Sequence, residues 1–199
     1  SFHETKNIIS GEGGALLINS SDMCDRAEII REKGTNRSQF FRGQTDKYTW
    51  VDFGSSYLPS ELVAAFLWAQ MEESKAITKR RLDIWNTYHA AFEGLEQQQK
   101  IRRPVIPSDC IHNAHMYYLL LPDLKSRTAF ISKLAENDIG AVFHYVPLHS
   151  SPMGKRAGKA GGDLSCTEDL SDRLVRLPVW LGLEEFLPGV IMKIKKVIE

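Results

Sequence analysis

The sequence predicts an α/β fold, and three observations support that prediction. Apolar residues recur at helical spacing in one long segment, from about residue 60 to about residue 95. Downstream, strand-like segments at 116–121 and 141–146 flank a helical pattern that Ser126 caps, which is the strand–helix–strand order of an α/β layer. The chain has 199 residues, 43% of them hydrophobic, enough for one large or two small cores.

The N-terminal part predicts a hairpin, a helix and a long loop. Two short strands, 2–9 and 15–19, are joined by a glycine cluster typical of a hairpin turn. A helix capped at Ser20 is expected to end at Gly34, since glycine favours the left-handed conformation that terminates helices. Residues 35–59 lack periodicity; this segment is either a functional loop or a surface loop anchored by its aromatic residues.

The strongest helix pattern begins at Pro59-Ser60-Glu61. Its inward stripe is predicted from the spacing of Leu62, Ala65, Phe66 and Ala69, and the stripe continues through Ile77, Ile84, Tyr88, Phe92 and Leu95. Unbroken to residue 95, the helix would be on the order of 50 Å long, so a bend is expected near 72–74. The basic run 79–81 is interpreted as a solvated face.

Two prolines in the segment 101–107 indicate a linker, so two domains are predicted, 1–100 and 101–199. In the second domain, a glycine-rich loop covers 150–165, a helix covers 167–175 and an extended segment covers 177–180. A final helix is predicted from about Pro188 onward.

Composition excludes several classes of function. Lys and Arg together number 25, as do Asp and Glu, so no net charge favours nucleic acid or an anionic membrane. No apolar run approaches the roughly 18 residues of a membrane span. The three cysteines are far apart and predict a reducing cytoplasm rather than a disulfide framework. Because the chain starts without Met and inside a strand-like segment, we expect it to be part of a longer protein.

Lys6 and Ser56 are candidate functional residues. Lys6 lies between Thr5 and Asn7, ahead of the glycine cluster. A lysine amine with a lowered pKa attacks carbonyl groups, although on spacing alone a solvated surface lysine is the commoner case. Ser56 belongs to a small-residue cluster before a helix N-terminus, which suits a phosphate group or forms an ordinary cap.

Four histidines form two further groups, His112 with His115 and His144 with His149. The spacing invites a zinc hypothesis. However, His112 and His115 would lie on opposite faces of a strand, which does not suit two ligands of one metal ion. We therefore predict no metal and interpret these histidines as wall residues of a cleft.

The motifs together resemble the DegT/StrS-type nucleotide-sugar aminotransferases along the whole chain. The segments that carry the resemblance include Ser1-Phe2-His3-x-Thr5-Lys6-Asn7, Gly11-Glu12-Gly13-Gly14, Arg31-x-x-Gly34, Ser60-Glu61-Leu62-x-Ala64-Ala65, Asn113-Ala114-His115-x-Tyr117, His144-Tyr145-x-Pro147-Leu148-His149 and Leu177-Pro178. The resemblance implies the aspartate-aminotransferase fold of pyridoxal-phosphate enzymes. This chain would be its C-terminal part, with the end of the large domain and the small α/β domain.

The resemblance also implies a reaction and a set of site residues. An amino group would pass from glutamate to a dTDP-4-keto-6-deoxyhexose, in a homodimer with shared active sites. Lys6 would bind pyridoxal phosphate and move the proton, and Ser56 would contact the cofactor phosphate. The residues expected near the substrate are Tyr57, His115, His144 and His149.

Three comparisons with the family pattern shape these expectations. Some relatives with histidine at the Lys6 position are dehydratases, so the lysine favours transamination. The family pattern Gly-x-Asn-x-Arg is Gly54-x-Ser56-x-Leu58 here, so another group must hold the donor carboxylate; the candidates are Arg37, Arg42, His144 and His149. The family's other cofactor contacts precede the lysine and are absent from this sequence. The alternatives are therefore an inactive fragment, a non-catalytic binding module that retains the fold, or another sugar aminotransferase of the family.

Overall fold

The computed structural model describes residues 1–199, which form two compact units, Ser1–Ser74 and Lys75–Glu199. The first unit contains a 3₁₀ turn, Ser21–Met23, and three helices. These helices are α1 (Cys24–Arg31), α2 (Arg37–Phe41) and α3 (Glu61–Glu72). No strand is assigned in this unit, so its chain is organised by turns and isolated bridges.

The predicted strands 2–9 and 15–19 are not formed. Phe2 N donates to Gly13 O at 2.8 Å and Glu4 N donates to Gly11 O at 3.0 Å, as in a hairpin. Lys6 N then donates to His3 O at 2.9 Å, which closes a tight turn and ends the ladder. Residues 15–19 have no regular structure, because a strand needs a partner along its length.

The end of α1 follows the sequence prediction. The helix stops at Arg31, and Gly34 takes a φ of 76°, while its N–H donates to Ile29 O at 2.8 Å. This is the left-handed termination that glycine favours. Two antiparallel bridges, Glu32 with Ser56 and Thr35 with Trp50, then bring the loop 35–59 back along the helix end.

Helix α3 begins where predicted but is not buried as predicted. The Ser60 side chain accepts from Val63 N at 3.3 Å, a normal N-cap. The expected inward stripe is wrong for α3, since Leu62 is 86% exposed and Phe66 is 52% exposed, whereas its continuation from Ile77 to Leu95 is buried. No residue of α3 is buried, because no other element of the described chain packs on it closely enough to cover the stripe.

The second unit contains six helices and three strands. The helices are α4 (Ser74–Ala91), α5 (Glu93–Gln97), α6 (Leu124–Ala135), α7 (Pro152–Ala157), α8 (Ser165–Arg173) and α9 (Leu187–Ile198). The strands are β1 (Tyr117–Leu120), β2 (Val142–Phe143) and β3 (Leu174–Leu177). Helix α3 ends at Glu72 and α4 begins at Ser74, so the long helical segment is interrupted at Glu73, inside the stretch where a bend was predicted.

The three strands form one antiparallel sheet with the order β1-β3-β2. Tyr117 lies opposite Leu177, and Phe143 lies opposite Val175. Arg102 and Leu120 exchange two backbone hydrogen bonds of 3.0 Å, so an isolated bridge covers part of the free edge of β1.

The core of the second unit is built mainly by α4, the sheet, α6 and α9. Its largest side chains that are less than 2% exposed are Tyr88, Tyr117, Phe92, Ile84, Leu119, Leu134, Ile194 and Val175. Since α4 supplies Ile84 and Tyr88, it packs with the sheet, and the units divide at Ser74 rather than near residue 100. The segment expected to be a linker is also held here, with Ile101 buried.

No helix in either unit is both long and apolar enough to span a membrane.

Candidate active site

Lys6 lies at the tip of a short, closely bonded turn. His3 Nδ1 lies 3.0 Å from Thr5 Oγ1 and accepts from Thr5 N at 3.2 Å. At the base of the turn, Ser10 N donates to Phe2 O at 2.7 Å, and the Ser10 hydroxyl donates to Glu12 O at 2.7 Å. Ser10 is buried. The turn therefore fixes the backbone of Lys6 from both sides.

The Lys6 side chain is exposed and forms no hydrogen bond or ion pair. Gly13, with a φ of 132°, leaves just enough room for the Ser10 hydroxyl, since a Cβ there would lie 3.3 Å from Ser10 Oγ. An accessible primary amine on a fixed turn is the group that condenses with an aldehyde.

Ser56 and Tyr57 lie at the C-terminal end of α1. Ser55 N donates to Ile30 O at 3.0 Å and Tyr57 N donates to Arg31 O at 3.1 Å. These two amides bind carbonyl groups at the helix end and are not available to a phosphate. The exposed side chain of Ser56 remains available to one. No hydrogen bond joins Lys6 to Ser56 or Tyr57.

The two arginines suggested for the donor carboxylate differ in how they are bound. The guanidinium of Arg42 forms a bidentate salt bridge with the Glu28 carboxylate, in which Nη1 lies 3.1 Å from Oε1 and Nη2 lies 2.7 Å from Oε2. This pairing lowers the pKa of Glu28 and raises that of Arg42. Arg37 lies over the ring of Phe41, 5.1 Å from its centroid, and keeps its hydrogen-bonding groups exposed.

In the second unit, His115 belongs to a segment held by Arg81. The buried guanidinium of Arg81 donates to Ala114 O at 3.1 Å, to His115 O at 2.7 Å and to Val179 O at 3.0 Å. Burial lowers its pKa. The interpretation of residues 79–81 as a solvated face is therefore wrong for Arg81. A sequence signal existed, since Arg81 lies four residues after Ile77 on the apolar stripe.

His144 and His149 lie near one cavity of about 270 Å³. His144 lines this cavity together with Glu168, and His149 Nε2 lies 3.1 Å from Glu168 Oε1. Burial and the charge of Arg176 lower the pKa of His144. His144 Nδ1 is enclosed and has no hydrogen-bond partner. The structure thus brings these two candidates to one cavity and places His115 in a different segment.

Arg176 was missed by the sequence reasoning. It occupies β3 between two buried residues, Val175 and Leu177, and its Nε is enclosed with no hydrogen-bond partner. A charged residue inside an apolar strand was the available signal, because such residues are rarely buried without a pairing group.

No three His, Cys, Asp or Glu side chains converge as metal ligands anywhere in residues 1–199.

Solved structures of sugar aminotransferases share the fold. PseC from Helicobacter pylori, an aminotransferase of pseudoaminic acid biosynthesis, superimposes with a TM-score of 0.86 at 20% identity, covering all of this chain and 52% of that one. DesV from S. venezuelae gives a TM-score of 0.84 at 23% identity, covering 100% and 50%. The predicted α/β aminotransferase fold is therefore confirmed.

Curated relatives match over the same extent. Protein MJ1066 of Methanocaldococcus jannaschii is 29% identical over 206 residues, which are 100% of this chain and 53% of that protein. GDP-perosamine synthase of Vibrio cholerae is 29% identical over 190 residues, covering 92% and 47%. The chain thus spans about half the length of these relatives.

One protein family accounts for nearly the whole sequence, since the DegT/DnrJ/EryC1/StrS aminotransferase pattern matches residues 1–194. That match covers the Lys6 turn, the loop containing Ser56 and the complete sheet of the second unit. The chain belongs to the DegT/DnrJ/EryC1/StrS aminotransferase family.

Proposed function

We propose that this chain is the lysine-bearing part of a pyridoxal-phosphate-dependent sugar aminotransferase, with Lys6 as the catalytic residue. One observation carries the proposal: the Lys6 amine is exposed and unpaired on a turn whose backbone is fixed by hydrogen bonds. A surface lysine needs no such support, whereas a reacting amine must be held in a defined position.

Pyridoxal phosphate is the cofactor of this family; the solved relatives include Spr1654 from Streptococcus pneumoniae in its PLP-form and its PMP-form. The residues present fit that group. Lys6 would hold the aldehyde carbon, and the hydroxyl of Ser56 would donate to the phosphate. When bound, the cofactor supplies the electron sink, and the protein supplies orientation.

Lys6 would also act as the general base and acid of the transfer. Its neutral amine takes the proton from the Cα of the amino donor, and its ammonium form then returns a proton to the reacting carbon. Both roles need an amine that moves freely at its tip while its backbone stays fixed, and the hydrogen bonds between His3, Thr5 and Lys6 provide the fixed part.

For the substrates, we propose glutamate as donor and a dTDP-4-keto-6-deoxyhexose as acceptor. The segment Trp50–Ser60 resembles the family members that make dTDP-4-amino-4,6-dideoxygalactose for enterobacterial common antigen. The names of the relatives support a sugar acceptor in general, since they include GDP-perosamine synthase and a spore coat polysaccharide biosynthesis protein, SpsC of Bacillus subtilis. Tyr57, His115, His144 and His149 are the proposed substrate contacts.

We further propose a homodimer with shared active sites, located in the cytoplasm. The exposed apolar residues of α3 support self-association, because large apolar patches on a surface mark contact sites. Leu62→Glu should shift the complete protein from dimer to monomer in analytical ultracentrifugation. Glu61→Gln, a change on the polar side, serves as the control.

The proposed cytoplasmic location is supported by the three unpaired cysteines, which fit a reducing compartment.

Substitution of Lys6 in the complete protein tests the central proposal. Lys6→Ala should remove the visible absorbance of the lysine-bound cofactor and abolish amine transfer from glutamate. Lys47→Ala is the matched control, since Lys47 is another exposed lysine of the first unit, and both properties should persist in it. Amine transfer by Lys6→Ala at the wild-type rate would refute the assignment. A panel of dTDP- and GDP-keto sugars would identify the acceptor.

A further inference from the structure

His3 closes the turn that carries Lys6 with two different groups. Its carbonyl oxygen accepts from Lys6 N at 2.9 Å, so His3, Glu4, Thr5 and Lys6 form a hydrogen-bonded β-turn. Its ring nitrogen Nδ1 accepts from Thr5 N at 3.2 Å. Side-chain acceptors that bind the amide two residues later are usually the oxygens of Asn and Asp, in an Asx turn. The His3 ring therefore serves as the acceptor of an Asx-like turn.

The contacts of the His3 ring fix its tautomer. A backbone amide can only donate, so Nδ1 carries no proton when it accepts from Thr5 N. The Thr5 hydroxyl lies 3.0 Å from the same nitrogen and is then the donor in that contact too. In a neutral imidazole the proton consequently lies on Nε2, which faces Glu12 Oε1 at 3.6 Å. One nitrogen thus binds the residue next to Lys6, and the other faces the glycine cluster at 11–14.

The two sides of the ring differ in the strength of their contacts. The distance of 3.6 Å from Nε2 to Glu12 is too long for a hydrogen bond, and the Glu12 side chain is 85% exposed. Water therefore screens this pair, and it contributes little. The two contacts of Nδ1 lie within hydrogen-bond distance, and the His3 side chain is only 38% exposed. Nδ1 is therefore the atom through which His3 acts on the turn.

We propose that His3 is a positioning residue for Lys6, acting through the hydrogen bonds that Nδ1 accepts from Thr5; this rests on the proposed role of Lys6. Thr5 directly precedes Lys6, so fixing its amide and its hydroxyl fixes the direction in which the lysine side chain leaves the backbone. An amine held in a defined direction reacts faster than one that samples many directions. In this role His3 acts only through the turn and contacts no reacting atom.

The rate at which Lys6 attaches pyridoxal phosphate tests this role without any substrate. In that reaction the Lys6 nitrogen forms a double bond to the aldehyde carbon, and the aldehyde oxygen leaves as water with both protons of the neutral amine. Cofactor-free complete protein is mixed with pyridoxal phosphate and reduced with borohydride at successive times. Mass spectrometry then quantifies the modification at Lys6.

Two variants of similar shape separate the acceptor from the bulk of the side chain. His3→Leu branches at the same carbon without an acceptor and should slow attachment roughly 2- to 12-fold, the range for loss of one intramolecular hydrogen bond. His3→Asn places an oxygen where Nδ1 lies and should stay within about twofold of the wild-type rate. Glu12→Gln is the control for the Nε2 side and should also change the rate by less than about twofold.

Hydrogen exchange of the Thr5 amide gives a second readout, which does not depend on the cofactor. The amide should exchange faster in His3→Leu by the same factor as the change in attachment rate, because it has lost its acceptor. In His3→Asn it should exchange at the wild-type rate. His3→Gln, whose side-chain oxygen lies one bond farther out, should behave like His3→Leu and gives the answer if that variant does not fold.

Several outcomes would overturn the inference. They are attachment at the wild-type rate in both His3→Leu and His3→Gln, attachment in His3→Asn that is as slow as in those two variants, and an equal slowing in Glu12→Gln. His3-dependent attachment in a complete protein that transfers no amine from glutamate would instead refute only the proposed function. If wild type attaches no cofactor at Lys6, the proposed function fails, and exchange of the Thr5 amide alone decides whether His3 holds the turn.

Discussion

Gly54 lies directly against Gly34, and a β-carbon on Gly54 would overlap the backbone nitrogen of Gly34. It would also lie 2.7 Å from Ile30 O. This contact holds the loop that carries Ser56 against the end of α1. Residue 54 must therefore be glycine, because a side chain there would collide with backbone atoms of Gly34 and Ile30.

Gly54→Ala should separate that loop from α1. Overpacking against backbone costs about 1–3 kcal/mol, so the amides of Ser55 and Tyr57, which bind Ile30 O and Arg31 O, should exchange hydrogen roughly 5- to 150-fold faster. Gly94→Ala is the control: its β-carbon would meet nothing within 4 Å, and alanine favours the helix by up to about 1 kcal/mol. Unchanged exchange in Gly54→Ala would contradict the packing described above.

Arg81→Met should destabilise the second unit. The substitution leaves the carbonyls of Ala114, His115 and Val179 without their donor, and we expect the free energy of unfolding to fall by roughly 2–4 kcal/mol in urea titrations. Lys79→Met removes only an exposed pair with Asp83 and should cost about 0.5 kcal/mol or less. Equal effects of the two changes would show that Arg81 contributes no more than a surface charge.

Two buried tyrosines should respond oppositely to loss of their hydroxyl groups. Burial raises the pKa of both, but Tyr88 donates to Pro178 O at 3.2 Å, whereas the Tyr117 hydroxyl has no partner. Tyr88→Phe should lower the free energy of unfolding by about 0.5–1.5 kcal/mol. Tyr117→Phe should leave it unchanged or raise it by up to about 1 kcal/mol. A marked loss in Tyr117→Phe would mean that this hydroxyl has a partner.

His89 should make the second unit less stable in acid. Its ring stacks on Trp85 at 4.6 Å, and burial, followed by the charge of Arg103, lowers its pKa. The unfolded chain then binds the proton more readily, so the free energy of unfolding falls as the pH drops below about 6.5. His144, whose pKa is also lowered, acts in the same direction.

His89→Phe keeps the stacking and cannot be protonated. Urea titrations at pH about 8 and about 5.5 should show a smaller acid loss for this variant than for wild type. The same loss in both proteins would assign the acid effect to other groups, with His144 first among them.

Local signals in the sequence predicted the boundaries of several elements. Ser60 was recognisable as a cap, and Gly34 as a helix end, because each acts on its own neighbours. The helix expected to begin at Ser126 begins at Leu124, since Asp123 is the cap and accepts from Ser126 N at 2.7 Å. A second capping residue three positions away was enough to shift the boundary.

Features that depend on distant residues were not predictable in the same way. The extended segment expected at 177–180 is instead β3, Leu174–Leu177, because its pairing partners lie more than 30 residues away. The burial of Arg81 depends on carbonyl groups 33, 34 and 98 positions away in the sequence. At the candidate site, the histidine motif was recognised locally, while Arg176 required knowledge of the sheet face.

The strand order bears on how the second unit is made on the ribosome. Strand β3 lies between β1 and β2, yet it is synthesised after both of them. Until residues 174–177 leave the exit tunnel, β1 and β2 have no partner strand, and their edges are open to unwanted association. The nascent chain therefore depends on late closure by β3, and a synonymous-codon change that slows translation just before residue 174 should lower the yield of folded protein.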